Sequence, residues 1–276
     1  VVCGGFRFAD FFLFFDAESG FLRDNGFLSY IGLAVIAAVF VTQFIIGLKN
    51  RKNRFAYQSS PGFARGICSL AAALAALLAT WFMYVQHEQQ ALSGVREFSA
   101  TGLSVRFPFM IVTGVLALYL LFAAALHVLG QEWLFQKWEL LELIPVLWGL
   151  LFVLYVFIHY SVSFLISENI FVVTSACALT LCLLNKAKYL SGIVEQGKTL
   201  GKLSLMTSLA LMLIVAYTCS NFVLFLFGIV YVGDLPLEVQ LVILLLEINA
   251  AGFLFTSHNK EIPILEIEEH PGKRFK

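Results

Sequence analysis

A carboxylate in the middle of an apolar run is the residue whose type and position could most directly do chemistry. Glu247 stands in Leu-Leu-Leu-Glu-Ile-Asn-Ala-Ala, about midway along a run from 236 to 256. At such a depth in a bilayer a charged carboxylate costs about 2.5–3.5 kcal/mol on insertion scales, so it must face protein or water. Gln240, Leu244, Glu247 and Ala251 share one helical stripe, whereas Asn249, two residues further on, points elsewhere. Two readings stand side by side: a site for a cation, proton or ligand, and a protonated Glu hydrogen-bonded to a neighbouring helix.

Two further polar residues belong to the same question. Thr207, Leu211, Ile214, Thr218 and Asn221 form a stripe on the run before it, and Trp148, Phe152, Tyr155 and His159 line one face of an earlier run. Ser, Thr and Asn in membrane helices join helices more often than they bind ligands. If the helices meet, His159, Asn221 and Glu247 outline an outward-opening pocket for a ligand or ion. His87 and His159 also fall near one side, but His87 sits at a helix end and His127 at the other end of its run, so haem ligation is not expected.

Other motifs are weaker. Gly192-Ile-Val-Glu-Gln-Gly197-Lys198-Thr199 matches the P-loop expression letter for letter. That chemistry needs a preceding buried strand and a phosphate-facing helix within a parallel sheet. Here the motif sits in a short basic loop before a membrane run, so Lys186, Lys188, Lys198 and Lys202 read as topology anchors and contacts to anionic lipid. No HExxH, GxSxG or CxxC pattern occurs. Cys68, Cys177, Cys182 and Cys219, in or beside apolar runs, read as small buried hydrophobes. No catalytic residue, metal or cofactor is expected.

The elements that position these residues follow from composition. Hydrophobic residues make up 60% of the chain and charged ones 13%, against about 45–50% and about 25% in soluble domains. The mean hydropathy of +0.86 and 28 phenylalanines leave no surface fit for water, so lipid is the second solvent. The net charge of zero offers no field to recruit nucleic acid. With about 20 residues needed per span, the runs fall near 28–48, 66–86, 108–129, 143–165, 169–185, 204–231 and 236–256. The fifth is short and the sixth long. Ala71, Ala75 and Ala79 give the second a small-xxx-small face for close packing.

With the N-terminus outside, 14 of the 18 Lys and Arg residues lie on the inner side, and only Arg7, Arg23, Arg96 and Arg106 on the outer. The positive-inside rule selects this orientation. Phe6–Phe15, with Phe8, Phe11, Phe12 and Phe15 on one face and Arg7, Asp10 and Asp16 too frequent for a span, reads as an interfacial helix on the outer leaflet, and no cleavable signal is visible in this stretch. Gly130–Glu142 reads as an inner-surface helix with Leu134, Trp138 and Leu141 on its apolar face.

The expected fold is an all-α integral membrane protein, a single bundle of about seven transmembrane helices, N-out and C-in. Residues 1–27 form an extracytoplasmic segment, 28–256 the seven-helix domain and 257–276 a solvated cytoplasmic tail. The expected function is a non-enzymatic sensory or partner-binding module of the plasma membrane. Its partners are the lipid bilayer and a membrane or cytoplasmic protein, with no nucleic acid. The alternative is a transporter or proton-coupled carrier using Glu247. An intramembrane enzyme would need a second reactive group near Glu247 or His159.

Overall fold

The computed structural model describes residues 2–16, 21–22, 27–49, 62–93, 106–131, 133–160, 167–191, 196–228 and 235–258. Residues 50–61, the first half of the P-loop match and residues 259–276 lie outside them. The described chain is helical apart from an antiparallel pairing of Phe15–Asp16 with Phe21–Leu22. Its α-helices are α1 (Val2–Phe14), α2 (Phe27–Lys49), α3 (Phe63–Ser93), α4 (Arg106–Leu129), α5 (Trp133–Lys137), α6 (Leu143–Tyr160), α7 (Ser167–Leu190), α8 (Gln196–Leu226) and α9 (Leu237–His258).

Seven of these, α2, α3, α4, α6, α7, α8 and α9, are long and apolar enough to cross a membrane, in α6 with the preceding 3-10 turn included. They coincide with the seven runs, with two consequential differences. The fifth element is not short: α7 continues to Leu190 and takes Asn185, Lys186 and Lys188 into the helix. The sixth is shifted toward the N-terminus and ends at Leu226.

Six helices close into a ring in the packing order α3, α4, α6, α7, α8, α9 and back to α3. α2 stands outside it against α1 and α8; 17% of its apolar window is buried, against 44–56% in the other six. The outward faces are apolar, with Trp81, Leu118 and Leu150 more than half exposed. Buried polar residues point inward, among them Ser69, Thr113, Gln240, Glu247 and Asn249. This distribution suits a solvent that cannot hydrogen-bond: backbone groups are satisfied within the helices, and hydroxyls turn back onto their own helix. Thr80, Thr113, Thr180 and Ser220 each donate to the carbonyl four residues earlier, at 2.7–2.8 Å.

The tightest seam is α3 on α4. Ala72, Ala75, Ala76 and Ala79 are buried along α3, which also packs on α9, and Ala71 is half-buried. A Cβ on Gly66 would stand 2.5 Å from Val128 Cγ2 and 3.3 Å from the Ala124 carbonyl oxygen. Gly66→Val is therefore expected to overpack the seam and cost about 1–3 kcal/mol, measurable by unfolding in mild detergent; a variant as stable as the parent would show that the two helices do not approach this closely. α4 ends cleanly: Gly130 adopts φ +68°, and the Gln131 amide donates to the Leu126 carbonyl at 3.0 Å, the closure that a left-handed residue permits.

Two peripheral readings change. α1 does not turn all its charges to solvent, because Asp10 is fully buried. Its carboxylate accepts from the Leu28 amide at 3.1 Å and from the Ser29 amide, capping the first turn of α2 from a neighbouring helix. Gly130–Glu142 is not one surface helix either. α5 stops at Lys137, a 3-10 turn spans Glu139–Glu142, and Phe135, not Trp138, turns inward. Trp138 is 53% exposed and stacks on Phe122, whereas Glu142 is buried at the start of α6.

Candidate functional site

Glu247 lies wholly inside the ring, with no exposure. The stripe carrying it is the inward face of α9, as the recurrence of Gln240 predicts. Cys182 of α7 donates its thiol to Glu247 Oε1 at 3.9 Å, and the Cys182 sulfur lies 3.2 Å from Thr207 Oγ1 of α8. Glu247 Oε2 has no hydrogen-bond partner among the described residues. The interior around this carboxyl is thus built by three helices and leaves one oxygen unspent.

Asn249 diverges from Glu247, as their separation of two residues requires. Its amide nitrogen donates to Ser69 Oγ of α3 at 2.6 Å, and its oxygen accepts from Lys186 Nζ of α7. Lys186 is therefore not a loop anchor. One further turn of α7 carries it onto the inward face, where its ammonium also lies 5.6 Å from the Phe253 ring centroid. Arg65 of α3 covers the same ring at 5.1 Å. Beside them the Tyr119 hydroxyl of α4 donates to Glu142 Oε1 at 2.8 Å.

Tyr119, Glu142, Lys186 and Asn249, with Leu120, Pro145, Leu183 and Leu246, line an internal cavity of about 10 Å³. That is room for about one water molecule, with enough polar groups to hold it. Glu247 lies next to this cavity and does not line it. The arrangement can bind a water or transfer a proton. It has no room for an organic ligand.

Of the other two predicted site residues, Asn221 lies elsewhere. Asn221 donates to Gln240 Oε1 at 3.1 Å, Gln240 donates to the Leu235 carbonyl at 2.6 Å, and the Leu235 amide donates to the Tyr217 hydroxyl at 3.4 Å. This network ties α8 to the start of α9, seven residues and roughly 10 Å along the axis from Glu247. The backbone at His159 belongs to α6, but its side chain is outside the described residues. The face leading toward it is filled: Phe109 of α4 stacks on Phe152 and Tyr155, at 6.1 and 4.6 Å between ring centroids, and lies tilted against Trp148 at 5.8 Å.

The cysteines divide. Cys182 is buried and polar in its contacts, Cys68 is half-buried, and Cys177 and Cys219 face outward, so only Cys182 fills the ring interior as expected of all four. His87 is exposed beside Phe107, and His127 is buried against Phe135. What the sequence reading missed is the group Lys186, Glu142 and Tyr119. Lys186 was hidden by its place among loop lysines, and Glu142 by a polar connection. The signal that could have found them is the apolar pattern Leu183-Leu184 and Tyr189-Leu190 on either side of Lys186, which keeps the helix running through it. Neither protein-family models, nor curated proteins, nor solved structures give a match to this chain.

Proposed function

We propose that this chain is a non-enzymatic, multi-pass module of the plasma membrane, N-out and C-in, that works by sensing or by binding a membrane or cytoplasmic protein partner. The observation that carries it is the pairing of seven apolar helices with an inward-facing set of charges around a cavity too small for an organic substrate. Buried ionisable groups in a membrane bundle are expensive and mark functional sites by default. The orientation is supported by the basic residues: with Lys186 taken out of the loops, thirteen still fall on the inner side against four. Aromatic residues support the frame as well. Trp81 and Tyr84 are exposed on α3 about 27 Å from its start, and Trp138 is exposed at the opposite end, in the connection after α4. These are places for interfacial anchors.

In a background lacking the native cysteines, single cysteines at residues 50–60 and at residues 192–195 are expected to react with impermeant thiol reagent only after the membrane is opened. Labelling of either segment from outside intact cells overturns the orientation. A second reading, a proton-coupled carrier, is favoured by one observation, the unpartnered oxygen of Glu247. Reconstituted liposomes separate the two. The sensory reading expects no net proton flux, and the carrier reading expects a flux that Glu247→Gln abolishes.

A further inference from the structure

We propose that the cavity between α4, α6, α7 and α9 is a binding site for one water molecule, which joins Glu142 to Lys186 and completes a polar bridge linking five of the six ring helices. The site goes beyond the functional reading above and is the same for a sensor and for a carrier.

Two half-bridges end on this cavity. On one side the Tyr119 hydroxyl donates to Glu142 Oε1 at 2.8 Å. On the other, Lys186 Nζ donates to Asn249 Oδ1, and Asn249 Nδ2 donates to Ser69 Oγ at 2.6 Å. Tyr119, Glu142, Lys186 and Asn249 all line the same space, yet among the described residues no hydrogen bond runs directly from the first half to the second. Each half reaches the cavity with capacity left over. An ammonium has three N–H donors, of which Asn249 takes one, and a carboxyl has two oxygens, of which Tyr119 serves one. Glu142 is 2% exposed, so bulk water does not supply its missing partner.

Size and charge select the occupant. A volume of about 10 Å³ holds about one water and nothing larger. One acidic and one basic side chain line it, so a cation placed there meets Lys186 and an anion meets Glu142. Arg65 of α3 is the other cation nearby. It covers the Phe253 ring that Lys186 also meets, at 5.1 and 5.6 Å to the centroid, but neither Arg65 nor Glu247 lines the cavity. What fits is a small neutral molecule that accepts from Lys186 and donates to Glu142, as a well-ordered bridging water does. The bridge then runs from Tyr119 of α4 through Glu142 in the turn before α6, the water, Lys186 of α7 and Asn249 of α9 to Ser69 of α3. A single removable molecule joins its two halves.

Hydroxyl radicals formed from bound water oxidise the side chains beside it, so the test is X-ray radiolytic footprinting of the full chain in lipid nanodiscs, read by mass spectrometry. Tyr119 is expected to be hydroxylated several-fold faster than Tyr155, which is as well buried but stacked on Phe109. Glu142→Gln keeps a hydrogen-bonding group at the cavity and is expected to retain the Tyr119 yield. Lys186→Met removes one end of the bridge and is expected to lower it several-fold. Equal yields at Tyr119 and Tyr155 in the parent overturn the proposal without any variant. So does a Tyr119 yield unchanged in folded Lys186→Met, because the water would then not depend on the lysine. If Lys186→Met fails to accumulate, a density map of the parent in lipid decides. One peak is expected within about 2.6–3.2 Å of both a Glu142 oxygen and Lys186 Nζ, and an empty cavity or an Nζ in direct contact with Glu142 overturns the site. Thiol labelling from the wrong side would reverse the bundle in the membrane while leaving these yields in place, so the two failures are distinguishable.

Discussion

Replacing Lys186 by methionine is expected to destabilise the folded chain by about 2 kcal/mol. Leaving a buried acceptor without its donor costs about 1–3 kcal/mol, and the lysine itself is half-buried. The loss comes from what is left behind. Asn249 Oδ1 loses its donor, and the cavity that Lys186 shares with Glu142 loses its ammonium. If that account is right, the damage is repairable from another helix. Adding Glu142→Gln to Lys186→Met removes one of the stranded carboxyls and is expected to recover about half of the loss, a coupling of the size found for residues in one polar network. Unfolding of the four proteins of this cycle in the same detergent decides it. A double variant no more stable than Lys186→Met alone would mean that Lys186 and Glu142 act independently.

The largest effect is expected at Glu247. Glu247→Lys places a second ammonium inside the ring, within the field of Lys186 and with Cys182 and Thr207 unable to neutralise it. A loss of about 4 kcal/mol or more is expected, of the order of a buried charge left without its partner, and it should appear as failure to accumulate in the membrane. Glu247→Gln, of nearly the same shape and still able to accept from Cys182, is expected to remain within about 1 kcal/mol of the parent. Glu247→Leu lies between, since it removes a costly group together with a counter-charge of Lys186. The spread separates a site inside the bundle from one on its lipid face. If the lysine variant accumulates as well as the glutamine variant, Glu247 has access to water or headgroups, and its burial is refuted.

Sequence alone determined the seven long helices, because hydrocarbon thickness sets a minimum apolar length that composition either meets or does not. It also determined that Glu247 faces inward, since the energetic cost of a carboxylate in lipid does not depend on which helices surround it. The inward face of α9 was legible for the same reason, from the polar residues spaced along it.

Tertiary structure decided everything that depends on which helices meet. Asp10 reads as a surface charge until α1 is placed against the start of α2, where it becomes a cap. Lys186 reads as a loop anchor because hydropathy falls at Asn185-Lys186, yet a lysine can remain in a helix when Asn249 and two carboxyls on other elements wait for it. Glu142 looks like the polar end of a surface helix until the 3-10 turn swings it toward Tyr119. His159, Asn221 and Glu247 lie on three different helices, and periodicity fixes a residue's face on its own helix but not the neighbour that face is turned toward. The structure ties Asn221 to Gln240 and sets Glu247 against Cys182. The physical reason is that burial is a property of each residue and its solvent, whereas pairing is a property of packing, and packing is decided only when the ring closes.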